Sequence, residues 1–321
     1  MTPANLLFLF SDEHNPSCVG YRDHPLVKTP NLDRLAERGT AFTAAYTNCP
    51  ICVPARASLA TGRYVHDIGY WDNAIAYDGS VRSWGHDLQD TGISTTAIGK
   101  LHYRQETDAT GFDRQILPMH VEAGGLGQLW GLQRDPLPVF ADAARKMLGP
   151  IGAGHSSYNA YDERVAQEAC DWLRNVAAAP TSEPWVLFVG LVAPHFPLTV
   201  PDAYLEMYPP ADMPLAPLHP SRGYQRHPWV EAFHRSCPVD DHFDDDQRRL
   251  ATACYYGLCS FLDDRIGKIL DTLTQTGLAD ATRVIYASDH GDSIGNGYPT
   301  QAGRRRAHQT KTCRQKTPTA E

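Results

Sequence analysis

Two short acidic clusters that lie far apart in the sequence have the composition of a metal site. Residues 11–14 read Ser-Asp-Glu-His, and residues 288–292 read Ser-Asp-His-Gly-Asp. Carboxylate oxygens favour calcium or magnesium, and an imidazole leaves zinc or manganese open as well. Asp12, Asp289 and His290 are therefore candidate metal ligands. The alternative is that each aspartate only caps the helix or turn that follows it.

A cysteine followed closely by proline and arginine is the second feature with chemical potential. Cys52 lies two residues before Pro54, and proline is typical of the first turn of a helix, so Cys52 is expected at a helix N-terminus. Backbone amides there favour an anion, and Arg56 follows about one turn later. Cys49 makes this a C-x-x-C pair, but no second pair at zinc-site spacing accompanies it. The alternative is an inert buried thiol beside a structural arginine.

Three predominantly apolar runs predict strands, each of which ends in polar or proline-containing sequence. Residues 6–10, 185–191 and 283–287 have the length and composition of central strands in a parallel sheet. Helical periodicity separates them at residues 31–38, 162–176 and 247–274. Strands alternating with helices predict an α/β fold, a doubly wound and mostly parallel sheet flanked by helices. Ligands bind beyond the carboxyl ends of such strands, so the two acidic clusters are expected to converge.

Composition limits the function classes. The chain has 321 residues, of which 42% are hydrophobic, and a net charge of −8 that provides no general attraction for nucleic acid. The arginine run at residues 304–306 is the exception, and we expect no nucleic-acid binding from it. The apolar run at residues 6–10 is too short for a membrane span. Eight irregularly spaced cysteines predict a reducing, cytoplasmic location. The sequence carries no signal for the oligomeric state.

Two segments depart from the strand-and-helix pattern. Residues 194–238 contain ten of the 24 prolines, which predicts irregular loops without regular helix. Beyond residue 296 the chain changes to six Lys or Arg, one Glu and hardly any apolar side chain. We therefore predict a catalytic domain over residues 1–296 and a basic, disordered tail over residues 297–321.

The cysteine motif resembles that of a known family. Residues 52–56 (Cys-Val-Pro-Ala-Arg) and 61–63 (Thr-Gly-Arg) are similar to the C-x-P-x-R…T-G-R signature of the type I sulfatases in the alkaline phosphatase superfamily. Other elements similar to the family's lie at residues 5–12, 29–35, 99–102, 193–197 and 288–292. The resemblance covers residues 4–295. His290, where many sulfatases have Asn, and residues 72–74 make the chain most similar to choline sulfatases and phosphonate monoester hydrolases.

The resemblance implies a formylglycine mechanism. A maturation enzyme would oxidise Cys52 to formylglycine, whose hydrate attacks the sulfur of a small sulfate ester, releases the alcohol and then expels sulfate. The divalent cation, calcium with magnesium or manganese as alternatives, would be held by Asp12, the modified Cys52, Asp289 and His290. Glu13 is a further possible ligand, because many relatives have Asp there.

The resemblance also implies roles for the remaining polar residues. Arg56 would hold the hydrate, while Lys100 and His102 would contact the sulfate oxygens. His195 would protonate the leaving oxygen or bind the sulfate. Asn73 would contact the substrate or the sulfate.

Two alternatives stay open beside sulfate-ester hydrolysis. The same donors suit phosphonate monoesters and phosphodiesters. After residue 292 the sequence departs from the family pattern, which continues through Gly-Leu-Trp to further strands and a small C-terminal subdomain, and the family's second sulfate-binding lysine has no match. We therefore predict that this subdomain is lacking, and a truncated, inactive remnant is the second alternative.

Overall fold

A computed structural model describes residues 5–121, 135–140, 149–179, 183–216 and 218–292, together with the backbone of residues 310–313. Eight strands lie within these residues: β1 (Asn5–Ser11), β2 (Ser94–Lys100), β3 (Arg114–Met119), β4 (Gly152–Ala153), β5 (Trp185–Gly190), β6 (Thr199–Val200), β7 (Thr282–Ser288) and β8 (Thr310–Cys313).

The main sheet has six strands in the order β3-β2-β5-β1-β7-β8, and β4 pairs with β6 in a separate two-stranded sheet. Pairing in the main sheet is parallel except for β8, which runs antiparallel to β7. The predicted α/β fold is confirmed, as are the predicted strands β1, β5 and β7. Apart from residues 310–313, the predicted basic tail lies outside the described residues.

Eight α-helices are described: α1 (Pro30–Glu37), α2 (Cys52–Thr61), α3 (Val65–Ile68), α4 (Trp84–Asp90), α5 (Ser157–Ala178), α6 (Asp202–Leu205), α7 (Pro228–Ser236) and α8 (Asp245–Gln275). Short 3₁₀ turns lie at Gly20–Arg22, Pro210–Asp212, Pro220–Arg222, Asp240–His242 and Ala279–Ala281. None of the helices within the described ranges combines the length and apolar character that crossing a membrane requires.

The long helices correct two details of the sequence prediction. Helix α5 begins five residues before the predicted start at Asp162, because Ser156 and Asn159 form a capping box there. The prediction that residues 194–238 lack regular helix is wrong for the single turn of α6 and for α7. In α7, Pro228 occupies the first turn, where its missing N–H costs no hydrogen bond. Helix α8 was predicted to within two residues at each end.

Apolar side chains cover both faces of the main sheet. On one face, Leu7, Leu9 and Leu187 are fully buried against residues of α5 and α8. On the other face, Phe8, Phe10 and Phe188 pack edge-on or tilted around one another, with ring centroids 5.3–5.6 Å apart, beside residues of α2. Each such side chain stabilises the fold by about 1.5–3 kcal/mol. Together these side chains hold the strands in place, and with them the strand ends that carry the candidate site residues.

A buried carboxylate in α8 anchors helix α1. The Asp263 oxygens accept hydrogen bonds from the backbone amides of Asn31 at 3.0 Å and Leu32 at 2.8 Å. These amides belong to the first turn of α1 and have no partner within the helix. The family-like element at residues 29–35, which begins Thr-Pro-Asn-Leu-Asp, is therefore tied to the core by Asp263.

Candidate active site

Helix α2 presents Cys52 at the carboxyl edge of the sheet. Ile51 is extended and Cys52 is the first helical residue, while Gly62 ends the helix in the left-handed conformation, with φ of 67°. The predicted helix start is confirmed. The Cys52 side chain is buried, with 1% exposure.

The two acidic clusters converge, as the parallel sheet predicts. Ser11 pairs with Ser288 in the last register of β1 against β7, so residues 12–13 and 289–290 leave the sheet side by side. The backbone amide of Glu13 donates to Asp289 at 3.1 Å.

A possible metal-binding group forms where the clusters meet Cys52. Asp12, Glu13, Cys52 and His290 each offer one donor atom, and these atoms all lie within 4.8 Å of one another and are buried. The Cys52 Sγ is 3.3 Å from Asp12 Oδ1 and 3.3 Å from His290 Nε2. Glu13 adopts a left-handed backbone conformation, with φ of 61°, that only some non-glycine residues adopt.

Asp289 borders this group, and its oxygens are already engaged by the protein. Oδ1 accepts from the backbone amides of Glu13 and, at 2.8 Å, of His290. Oδ2 accepts from Arg56 Nε at 3.0 Å. Asp289 is thus a candidate ligand that also holds the backbone of Glu13 and His290 in place.

Arg56 links the two acidic clusters to each other and to the end of β2. Its guanidinium donates to Asp289, to Asp12 Oδ2 at 3.2 Å and to the carbonyl of Lys100 at 3.0 Å. It also lies over the ring of Phe10, 4.9 Å from the centroid, a favourable cation–π position. Because three donors are committed to the protein, Arg56 has a fixed orientation.

The pKa values of the acidic groups shift in different directions in this buried site. Burial raises the pKa of Asp12, but the charges of Lys100 and Arg56 hold it well below the ordinary value. Burial, and then repulsion by Asp12, raises the pKa of Asp289. Burial, followed by the same carboxylates, also raises the pKa of the Cys52 thiol well above its usual range. The site therefore stabilises a neutral thiol rather than a thiolate.

Lys100 is a buried cation at the end of β2. Its ammonium forms an ion pair with Asp12, and the side chain is 1% exposed. Burial alone lowers the pKa of Lys100, but the neighbouring Asp12 raises it above the ordinary value. The lysine therefore stays charged.

Two histidines stand near this cation. Burial, and then Lys100, lowers the pKa of His102 well below its usual range, and its Nδ1 is a buried atom that has no hydrogen-bond partner among the described residues. His195 Nε2 is 3.5 Å from Glu13 Oε1, and its Nδ1 is 2.5 Å from the carbonyl of Phe196. Burial, and then Lys100, lowers the pKa of His195 to about 4. Both imidazoles are therefore neutral near pH 7.

Asn73 contacts the helix that carries the cysteine. Its Oδ1 accepts from the backbone amide of Val53 at 3.1 Å. His14, which follows the first acidic cluster, does not belong to the metal-binding group: its ring bonds to the Tyr286 hydroxyl and, at 2.9 Å, to the carbonyl of Cys18.

Sequence reasoning missed Asp162. The sequence pattern predicts Asp162 at the start of a helix, whereas it lies in the second turn of α5 and is 1% exposed. Its side chain accepts hydrogen bonds from the backbone amides of Val192 and Ala193. Burial raises its pKa to about 7, although these two amides lower it. A signal was present in the periodicity, because Asp162 shares the buried helix face with Val165, Ala166 and Ala169.

The chain matches the family model described as Sulfatase over residues 4–314, and it belongs to that family. Choline-sulfatase from Rhizobium meliloti (strain 1021) is 28% identical over 304 residues, which cover 91% of this chain and 58% of that protein. The uncharacterized sulfatase YidJ of Escherichia coli (strain K12) is 30% identical over 308 residues, which cover 92% and 58%. Arylsulfatase K from Bos taurus is 27% identical, with coverage of 90% and 53%. The chain spans little more than half the length of these relatives.

Solved structures share the fold. Phosphonate monoester hydrolase of Agrobacterium radiobacter aligns with a TM-score of 0.67 and 24% identity over 92% of this chain and 64% of that one. BT4656, solved in complex with its substrate D-glucosamine-2-N,6-O-disulfate, aligns with a TM-score of 0.69 and 18% identity over 97% and 70%. The resemblance predicted from the sequence is confirmed.

Proposed function

We propose that this chain hydrolyses a small sulfate ester, with Cys52 as the precursor of a formylglycine nucleophile. One observation carries the proposal: the signature cysteine lies at the start of α2 with its Sγ 3.3 Å from both Asp12 and His290. A group at this position faces carboxylates and imidazole from two other strand ends. Activating a nucleophile by metal coordination requires such an arrangement.

The residues present fit a divalent cation. Asp12, Glu13 and His290 contribute buried oxygen and nitrogen donors beside Cys52, a donor set that suits calcium, with magnesium and manganese as alternatives. An oxygen at the position of the Cys52 Sγ, such as a hydroxyl of the formylglycine hydrate, suits a hard cation better than sulfur does. When bound, the cation would lower the pKa of a hydroxyl on the modified residue and stabilise negative charge.

The cationic side chains bind and orient the ester. The Lys100 ammonium has three protons, and Asp12 engages it from one side, so the remaining protons can be donated to sulfate oxygens. Arg56 holds Asp12 and Asp289 in place. His102, with its buried Nδ1, and Asn73, beside the start of α2, complete the proposed substrate contacts.

His195 handles the proton of the leaving oxygen in this proposal. Its Nδ1 donates to the Phe196 carbonyl, because a carbonyl only accepts, and Nε2 of the neutral ring is then an acceptor. A bound sulfate ester adds negative charge and raises the pKa of His195. The ring can therefore take up a proton in the complex and donate it to the departing alcohol.

Phosphonate monoesters and phosphodiesters are the second substrate candidate. The phosphonate monoester hydrolase that shares the fold supports it, because both substrate classes present a tetrahedral anion to the same donors.

The proposal has three further parts. A maturation enzyme recognises the segment around Cys52, and residues 1–296 form the catalytic unit. The compartment is reducing, in keeping with the free thiols of the seven described cysteines.

The test is to produce the chain together with a formylglycine-generating enzyme and to examine the peptide of residues 51–63 by mass spectrometry. Conversion of Cys52 should accompany turnover of an aryl sulfate ester. Greater efficiency on an aryl phosphonate ester would favour the second candidate instead.

Two variants make this test specific. Cys52→Ala should lower turnover by at least about a thousandfold, because removal of a covalent nucleophile typically has effects of this size or larger. Cys254→Ala, a thiol buried in the core away from the site, should retain turnover. A converted but inactive wild-type chain would support the remnant interpretation and refute the proposal.

A further inference from the structure

Asp162 is a buried acidic residue that binds the chain segment leading to His195. Its Oδ1 accepts from the amide of Val192 at 2.8 Å, and Oδ2 accepts from the amide of Ala193 at 2.7 Å. The carboxylate is 1% exposed and has no ion-pair partner among the residues that the structure describes. A buried carboxyl group is costly unless it is hydrogen-bonded, and both of its bonds here go to the segment that leads to His195.

Val192 connects Asp162 directly to the histidine. While the Val192 amide donates to Asp162, the Val192 carbonyl accepts from the backbone amide of His195 at 3.1 Å. The preceding residue, Leu191, is held to the sheet by a bond from its amide to the Phe10 carbonyl at 2.8 Å. The whole turn from the end of β5 to His195 is therefore fixed at consecutive residues.

Helix α5 also contacts the imidazole ring of His195 directly, through Tyr158. Tyr158 lies one helical turn before Asp162, and its ring meets the His195 ring edge-on, with centroids 6.0 Å apart and planes at 79°. Two side chains on one face of the helix thus contact the segment that leads to His195, through Asp162, and the His195 ring itself, through Tyr158.

We propose that Asp162 is a positioning residue that fixes the place of His195 beside Glu13 and Lys100. The proposal rests on the sulfate-ester hydrolysis proposed above for its kinetic consequence. A misplacement of about 1 Å at a reacting group can lower a rate about a hundredfold. Asp162 acts through the backbone and does not touch the substrate.

Asp263 provides a matched control for the alternative that Asp162 only stabilises the fold. It is also a buried helix carboxylate that accepts from two consecutive amides, those of Asn31 and Leu32. These partners lie in α1, away from His195. The same Asp→Asn change at the two positions replaces one acceptor oxygen by a donor in similar surroundings.

The first measurement does not depend on turnover. The imidazole Cε1–H signal of His195 is assigned by NMR through its loss in His195→Ala. Asp162→Asn should shift this signal, and Asp263→Asn should leave it in place. Asp162→Ser, which keeps one acceptor and introduces no amino group, repeats the test if the Asn variant does not fold. An unchanged His195 signal in a folded Asp162 variant would overturn the proposal.

The second measurement is kinetic and uses the converted enzyme with an aryl sulfate ester. Asp162→Asn should lower kcat by about tenfold to a hundredfold with little change in KM, whereas Asp263→Asn should not. In a His195→Ala background, Asp162→Asn should add no further loss. An equal loss in both backgrounds would contradict positioning. If the wild type shows no turnover, the proposed function fails while the NMR result still decides the role of Asp162.

Discussion

The carboxyl edge of the sheet and the layer between the sheet and helices α5 and α8 are equally buried but are built from opposite kinds of side chain. At the edge, Asp12, Arg56 and Lys100 are 0–2% exposed. In the layer, Leu7 and Leu187 are fully buried. A buried leucine stabilises by about 1.5–3 kcal/mol, whereas a buried ion pair often contributes less than apolar side chains of similar size. The layer therefore supplies the stability, and the edge supplies fixed charges.

Removing the central cation of the edge is the strongest way to break this comparison. In Arg56→Met, Asp12 and Asp289 lose their shared guanidinium and stay buried. Breaking a buried pair by removing one partner costs about 3–5 kcal/mol, so we expect a loss of this size in the free energy of unfolding. Chemical denaturation of the two proteins measures it.

An exposed arginine serves as the control for this substitution. Arg82 pairs with Asp87 and Asp90, and all three side chains are more than half exposed. We expect Arg82→Met to leave the denaturation midpoint unchanged. Equal effects of the two substitutions would show that burial does not distinguish the edge from the surface.

Calcium should stabilise the folded state by reducing the repulsion between the carboxylates at the edge, such as Asp12 and Asp289. At a calcium concentration about 100 times Kd, binding to the folded state alone raises the free energy of unfolding by about 2.7 kcal/mol. The measurement is the thermal midpoint with calcium and with a chelator. Magnesium and manganese, tested in parallel, identify the preferred ion.

Two variants locate the calcium effect. Asp12→Asn should abolish the rise, because Asp12 belongs to the possible metal-binding group. Asp280→Asn, at an exposed position, should keep it. A rise that survives in Asp12→Asn would place the ion elsewhere.

The layer was more predictable from the sequence than the edge of the sheet. Strands β1, β5 and β7 have apolar runs, and α8 has a clear helical period, so local pattern is enough to find them. Strand β2 (Ser94–Lys100) was not predicted, because its sequence of small and polar residues shows no such run. Its burial comes from pairing with β3 and β5, which no local window contains.

Only those parts of the site that a motif or the sheet topology indicated could be predicted from the sequence. The ends of β1 and β7 indicated that Asp12 and His290 would meet, and the family signature indicated Cys52. The contribution of Asp162 depends on amides 30 and 31 residues away. Spacing along the chain does not reveal such a contact, because it arises only when α5 packs on the end of β5.

Asp263 sharpens the comparison, since it is a carboxylate inside the apolar layer. Burial raises its pKa to about 6, although the amides of Asn31 and Leu32 lower it. The folded state therefore binds the proton more tightly than the unfolded chain does. The stability that this protonation contributes is fully present below about pH 4 and is lost as the pH rises through about 6.

This dependence should separate the wild type from Asp263→Asn. Between pH 4 and pH 7 the wild type should lose about 2 kcal/mol of unfolding free energy relative to the variant, since each unit of pKa shift corresponds to about 1.4 kcal/mol. Denaturation curves of both proteins across this range measure the difference. Asp280→Asn, at an exposed position, should run parallel to the wild type. A constant difference between the wild type and Asp263→Asn would mean that Asp263 remains ionised in the layer, as the carboxylates do at the edge.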